Sequence, residues 1–166
     1  MTGGSPASTA TTIRKAAAAD AKAVADVYLA SFGATYDFPL AHTDDEVRAW
    51  IRDSVVPTGG TWVALDQGGS IVGMMVVAAG ELDQLYVLPD RLGEGIGRRL
   101  LGLARRESPS GLSLYTFQVN ARARRFYERN GFVAEAFGDG TGNEERQPDV
   151  RYAWHPASVG RGTRAL

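Results

Sequence analysis

The chain contains no cysteine. That absence removes a disulfide framework, a thiolate nucleophile and a cysteine-bearing zinc site together. Histidine is almost as scarce: His42 and His155 stand far apart, so no imidazole-built metal site is expected. An excess of one charge is missing too. The 18 Lys and Arg face 19 Asp and Glu, a net charge of −1, so the broad positive field of a dedicated nucleic-acid binder or of a protein held on an anionic membrane is absent. The longest apolar run, Ile71 to Ala79, falls well short of the roughly 20 residues that cross a bilayer.

What is present is material for one core. The 166 residues are 44% hydrophobic, which suits a single domain, since domains most often run to roughly 100–150 residues. Met1 to Thr12 is rich in Ser, Thr, Ala and Gly and carries no apolar run, so it is expected to be a disordered lead, neither a secretory signal nor an anchor. His155 to Leu166 turns again to Pro, Ser, Gly and Arg and is expected to be a flexible tail. The folded domain is thus expected over 13–154, and the cytoplasm is the expected compartment.

Periodicity orders the elements. A short strand near Ile13 precedes a helix in which Val24, Val27, Tyr28 and Ser31 fall at i, i+3, i+4 and i+7 behind Asp20 as N-cap. Thr43 and Glu46 form a Thr-x-x-Glu capping box for a second helix, with Val47, Trp50 and Ile51 on one face and Pro57 beyond its end. Thr61 to Leu65 and Ile71 to Ala79 read as an antiparallel pair about the Asp66–Ser70 turn, and Glu81 to Leu88 as a third strand. A helix through Ile96, Leu100, Leu103 and Ala104 follows, then a strand over Leu112 to Val119. The next helix carries Ala123, Phe126, Tyr127 and Asn130 and closes at Asn130-Gly131; strands at Phe132–Phe137 and Val150–Trp154 end the domain. The predicted order is β-α-α-β-β-β-α-β-α-β-β, a mixed α/β sheet without internal repeat.

Between the third strand and the third helix lies Leu92-Gly93-Glu94-Gly95-Ile96-Gly97-Arg98. Alternating glycines just before a helix let backbone N–H groups approach an anion at the positive end of the helix dipole. Arg91, Arg98, Arg99, Arg105 and Arg106 surround the loop in sequence, a set suited to a pyrophosphate. A Walker loop is excluded because Arg98-Arg99 follow Gly97, and a dinucleotide Gly-x-Gly-x-x-Gly is excluded because position 98 is Arg. A tight strand-to-helix turn is the plain alternative.

Leu85-Tyr86-Val87-Leu88-Pro89 followed by Gly93 to Leu101 resembles the acetyl-CoA motif of the GNAT superfamily of N-acetyltransferases, whose pattern is Gln/Arg-x-x-Gly-x-Gly/Ala. Gly95 and Gly97 match; the first position is Leu92, with the arginine displaced to Arg91. Downstream, Asn120, Phe126-Tyr127 and Gly131-Phe132 resemble the family's second motif. The resemblance implies the GNAT fold, a mostly antiparallel sheet of six to seven strands with about four helices, and acetyl-CoA as cofactor. It places Tyr86, Val87, Leu92, Gly93, Gly95, Ile96, Gly97 and Arg98 at the cofactor, Asn120 on its pantetheine arm and Tyr127 beside its sulfur as proton donor. It also leads one to expect a homodimer. The run Gly142 to Tyr152 (GNEERQPDVRY) resembles the ending of a bacterial branch of the family.

Acetyl transfer to an amine needs a base, an oxyanion donor and a proton for the leaving thiolate. By the resemblance Glu81 is the first candidate base; Asp83, on the same strand face by period-two alternation, competes with it, and an ordinary exposed strand end is the alternative for Glu81. Tyr127 can equally be a core aromatic. A strand N–H near Val87 would meet the oxyanion. Tyr36, Phe38 and His42 fall where the family often lines its acceptor pocket, although His42 also suits a surface or capping position. The loop Gly138 to Asp149 carries Asp139, Glu144, Glu145 and Asp149 against Arg146, an acidic excess that could draw a cationic amine or simply be solvated. The expected activity is acetylation of a small-molecule primary amine. A protein or peptide N-acetyltransferase and a non-catalytic acyl-CoA sensor are the alternatives. No metal, nucleic acid or membrane is expected as partner.

Overall fold

In the computed structural model, which describes residues 11–157, the chain runs β1 (Thr12–Lys15), α1 (Ala21–Thr35), α2 (Asp44–Trp50), β2 (Thr61–Leu65), β3 (Ile71–Ala78), β4 (Glu81–Val87), α3 (Ile96–Glu107), β5 (Leu112–Phe117), α4 (Ala121–Arg129), β6 (Val133–Gly138) and β7 (Asp149–Trp154). This is the predicted order. One seven-stranded sheet joins them in the spatial order β1-β2-β3-β4-β5-β7-β6, and every neighbouring pair is antiparallel except β4 and β5.

Helices pack on both faces. Val24, Val27 and Tyr28 of α1 are buried with Val47 and Ile51 against Val63, Met74 and Val76 of the sheet. On the opposite face Ile96, Leu100, Leu101 and Ala104 of α3 and Tyr127 of α4 pack with Met75, Leu82, Leu114, Val150 and Tyr152. Each large apolar side chain so buried contributes about 1.5–3 kcal/mol.

Local signals operate largely as the sequence implies. Thr43 Oγ1 accepts from the Glu46 N–H at 3.3 Å and Glu46 Oε2 accepts from the Thr43 N–H at 2.8 Å, a complete capping box. Asp20 differs. It precedes α1 but makes no cap bond to it; its carboxylate accepts from the Ala17 N–H at 2.7 Å and from Arg14, closing the short turn before the helix. After α2 the coil does not stop but widens into a π turn over Ile51–Val55 and tightens into a 3-10 turn over Val56–Thr58, because Pro57 cannot donate to a regular ladder.

The expected lead over 1–12 runs two residues too far: Thr12 is already in β1, and the buried Thr11 offers its carbonyl to Arg99 of α3. Residues 1–10 of that lead, and 158–166 of the expected tail, lie outside the described residues. His155, assigned to the tail, contacts Glu135 of β6 at 2.9 Å.

Candidate active site

β4 and β5 pair in a single register, Glu81 with Ser113. Beyond it they diverge, and the gap holds a cleft of about 240 Å³ lined by Leu82, Asp83, Gln84, Leu85 and Tyr86 of β4 and by Tyr115, Thr116 and Phe117 of β5. The cleft reaches both faces of the sheet: Tyr28, Phe32 and the adjoining Tyr36 wall it on the α1 side, Ala123 and Tyr127 on the α4 side.

Pairing with β3 decides which β4 backbone groups face the gap. Leu88 N–H donates to the Val72 carbonyl at 2.9 Å, on the β3 side. Alternation therefore turns the N–H groups of Val87 and Leu85 toward β5. The Val87 carbonyl on that side accepts from Ser31 Oγ of α1 at 2.9 Å, which fixes the orientation of this stretch.

A bulge corrects the strand reading. Val76 pairs with Gln84 and Val77 with Leu82, so Asp83 is the extra residue and the alternation reverses at it. Asp83 lines the cleft, whereas Glu81, exposed where β4 and β5 still pair, does not. What separates the two is position along β4: Glu81 lies where the strands still pair, Asp83 where they part.

The glycine loop leads from β4 into α3. Gly93 and Gly95 have φ of +85° and +81°, and Gly95 sits at the N-cap with no side chain capping the helix. The first-turn N–H groups of Ile96, Gly97 and Arg98 lack intrahelical acceptors and stay available to an anion. Gly97 lies under the Phe126 ring, 3.5 Å from where its Cβ would be. Ile96 is 2% exposed, so only its backbone can serve a ligand. Leu92 and Arg98 are exposed.

The arginine set thins out on inspection. Arg91 is committed to Glu94 at 3.0 Å and Asp66 at 3.2 Å, bracing the loop. Arg99 turns to the Thr11 carbonyl. Arg105 donates to the Asn130 carbonyl and stacks between Phe132 and Trp154, at 5.4 and 5.2 Å. It and Arg106 stand in the last turn of α3, about 14 Å up the helix from the loop. Of the expected group, Arg98 remains for a phosphate.

Asn120 caps α4, its Oδ1 accepting from the Ala123 N–H at 3.0 Å, and its Nδ2 donates to Tyr36 Oη at 2.8 Å. One Nδ2 hydrogen is left over for a ligand amide. Tyr127 is 8% exposed and its ring packs against Phe126, Phe132 and Tyr152. Burial raises its pKa and that of Tyr86, so both hydroxyls stay protonated. Tyr28 is pushed up to about 12, first by burial and then by the charges of Glu145 and Asp83.

On the acceptor side, Tyr36 lines the cleft but Phe38 does not; it packs behind, against Phe32, Tyr36 and Phe117 at 4.9–5.8 Å. His42 is exposed outside the cleft and pairs with Glu144 at 2.9 Å. The β6–β7 loop contributes Asn143 and Glu145 to the wall, with Asp149 at the start of β7. The sequence had no signal for Ser31, Asn143 or Asp149 in these places, beyond the acidic bias of the loop.

Residues 57–134 match the family of acetyltransferase (GNAT) domains. A relative from Escherichia coli named peptidyl-lysine N-acetyltransferase YjaB is 30% identical over 120 residues, covering 72% of this chain and 80% of its own length. The solution structure of apo YjaB superposes with a TM-score of 0.74 at 26% identity, over 87% of this chain and 97% of that one. A PaiA N-acetyltransferase from Thermoplasma acidophilum, solved in complex with coenzyme A, shares the fold at a TM-score of 0.66 and 21% identity, over 89% of this chain and 99% of that one. Glycine loop, parted strands and kinship agree: the chain belongs to the GNAT acetyltransferases and is an acyltransferase whose cofactor is acetyl-CoA.

Proposed function

We propose that the acceptor is a primary alkylammonium, the chemistry of a lysine side chain, and that the cleft between β4 and β5 is where it meets the acetyl group. One observation carries this reading: Asp83, Glu145 and Asp149 line the cleft, and none of the described lining residues is Lys or Arg. Tyrosine and phenylalanine rings from α1 and β5 supply walls for a methylene chain and faces for a cation. The relative named peptidyl-lysine N-acetyltransferase accords with this acceptor.

Bound acetyl-CoA supplies an activated thioester. The first-turn amides of α3 and Arg98 would hold its diphosphate, and the Leu85 N–H and the spare Asn120 hydrogen would engage its arm in the strand gap. Val87 N–H, oriented through Ser31, donates to the carbonyl oxygen as charge builds on it. Asp83, open to solvent on the bulge, takes the ammonium proton and frees the nitrogen lone pair for attack. The C–N bond forms as the C–S bond breaks, Tyr127 gives its hydroxyl proton to the sulfur, and the second proton, shed by the acylated nitrogen, restores the Tyr127 hydroxyl; Glu81 is left without a part in the transfer.

A free small amine remains the second reading, favoured by the His42–Glu144 contact that draws the β6–β7 loop down toward α2. Turnover of lysine peptides, polyamines and neutral aromatic amines, followed by mass spectrometry, separates them. Product on neutral amines alone would sink the alkylammonium reading.

A further inference from the structure

The β6–β7 loop is built as a rigid piece. Gly140 has a φ of +93° and lies so close to Arg146 and Gln147 that a Cβ would sit 2.8 Å from their carbonyl carbons, so the loop folds directly onto itself there. Arg146 takes a φ of +57°, a conformation that non-glycine residues seldom adopt. Asn143 ties the inside together: its Nδ2 donates to the Gln147 carbonyl at 2.8 Å and to Asp149 Oδ2 at 3.0 Å, while its Oδ1 accepts from the Gln147 N–H at 3.1 Å. Asp149 in turn occupies space that only glycine leaves at 138, where a Cβ would stand 2.2 Å from Asp149 Oδ1.

This piece presents two adjacent carboxylates in different directions. Glu145 is half-buried on the cleft wall, its charge reaches the Tyr28 and Tyr86 hydroxyls, and among the described residues no side chain donates to its carboxylate. Glu144 points outward to His42, 102 residues earlier, with Nε2 to Oε2 at 2.9 Å. The other ring nitrogen of His42 faces Glu46 of α2 at 3.7 Å. His42 is thereby held between two carboxylates, and its hydrogen bond to Glu144, with the charges of Glu144, Glu46 and, last, the more distant Glu145, favours its charged form.

We infer that Glu145 is the residue that grips the acceptor's ammonium group, and that His42 is its positioning residue, latching the β6–β7 loop to α2 through Glu144. This rests on the alkylammonium reading for the role of Glu145 but not for the latch. An unpaired carboxylate facing tyrosine hydroxyls in a cleft without lysine or arginine has a cation as its natural counterpart, and a charge-assisted hydrogen bond there outweighs a neutral one. The latch is exposed and individually weak. Its effect is orientation: it selects the loop position in which Glu145 meets the cleft.

Steady-state kinetics with Nα-acetyl-lysine methylamide, alongside backbone hydrogen exchange, test both parts. Glu145→Gln is expected to raise the acceptor KM about tenfold or more while leaving the acetyl-CoA KM near the wild-type value. His42→Ala is expected to raise the acceptor KM about threefold and to speed exchange of the amides over 140–148. His42→Gln, which keeps a donor for Glu144, should restore both. An unchanged acceptor KM in Glu145→Gln overturns the grip, and unchanged exchange in His42→Ala overturns the latch. If the wild-type enzyme ignores the lysine amide but acetylates neutral amines, the acceptor reading and the grip fall together, while faster exchange in His42→Ala still upholds the latch.

Discussion

Ser31 Oγ donates to the Val87 carbonyl across 56 residues at 2.9 Å, tying α1 to the last residue of β4. Ser31 is 5% exposed, so its hydroxyl has little access to water. Removing the hydroxyl leaves a carbonyl without its donor, a loss of about 1–3 kcal/mol. Ser31→Ala should therefore lower urea-unfolding stability by that amount and also reduce kcat, because the Val87 carbonyl and N–H flank one Cα and face the same gap, so loosening the first loosens the second. Wild-type stability in this variant would show that the bond carries no weight.

The glycine loop gives a sharper test of cofactor binding. Gly95 adopts a φ of +81° at the head of α3, and a side chain there costs about 1–2 kcal/mol of backbone strain. Gly95→Glu adds a negative charge where a diphosphate is to sit, and Gly97→Glu must push past the Phe126 ring 3.5 Å away. Both variants should lose coenzyme A binding in calorimetry. Near-normal affinity in a folded variant would move the diphosphate elsewhere.

Tyr127→Phe keeps the ring that packs on Phe132 and Tyr152 and removes only the hydroxyl. Turnover should fall about 100-fold, with the acetyl-CoA KM changing little. Equal losses in both would make Tyr127 a packing residue.

Buried tyrosines also set an alkaline limit. Tyr28, Tyr86 and Tyr127 all have folded pKa values raised by burial, Tyr28 to about 12. An unfolded tyrosine ionises near pH 10, so above that pH the folded state binds more protons than the unfolded one and stability falls as pH rises. Unfolding free energy measured from pH 9 to 11.5 should decline, and Tyr28→Phe should flatten the slope. A flat wild-type profile would contradict the burial of these hydroxyls.

Short-range patterns carried most of what the sequence disclosed. The i, i+3, i+4, i+7 spacing of Val24, Val27, Tyr28 and Ser31 names the buried face of α1 correctly, and the Thr43–Glu46 box and the Gly93–Gly95 turn form where their chemistry requires. Long-range relations stayed hidden because they depend on register and on partners distant in sequence. One extra residue at Asp83 reverses the alternation of the β4 residues that follow it, and the parting of β4 from β5 just beyond Glu81 puts Asp83, and not Glu81, on the cleft. Arg91 looked free for a phosphate until Asp66, 25 residues earlier, came to meet it. His42 gained its meaning only from Glu144.

The separation of β4 from β5 after Glu81 has a cost that concerns the molecule's life before it binds anything. An ordinary open sheet has two edges, whereas this one has two more in its middle, each presenting backbone donors and acceptors to any extended chain that reaches them. A cofactor lying between them screens those inner edges from stray strands. Loading with acetyl-CoA should therefore guard newly made protein against strand-swapped assembly and heat-induced aggregation, in addition to supplying the group to be transferred.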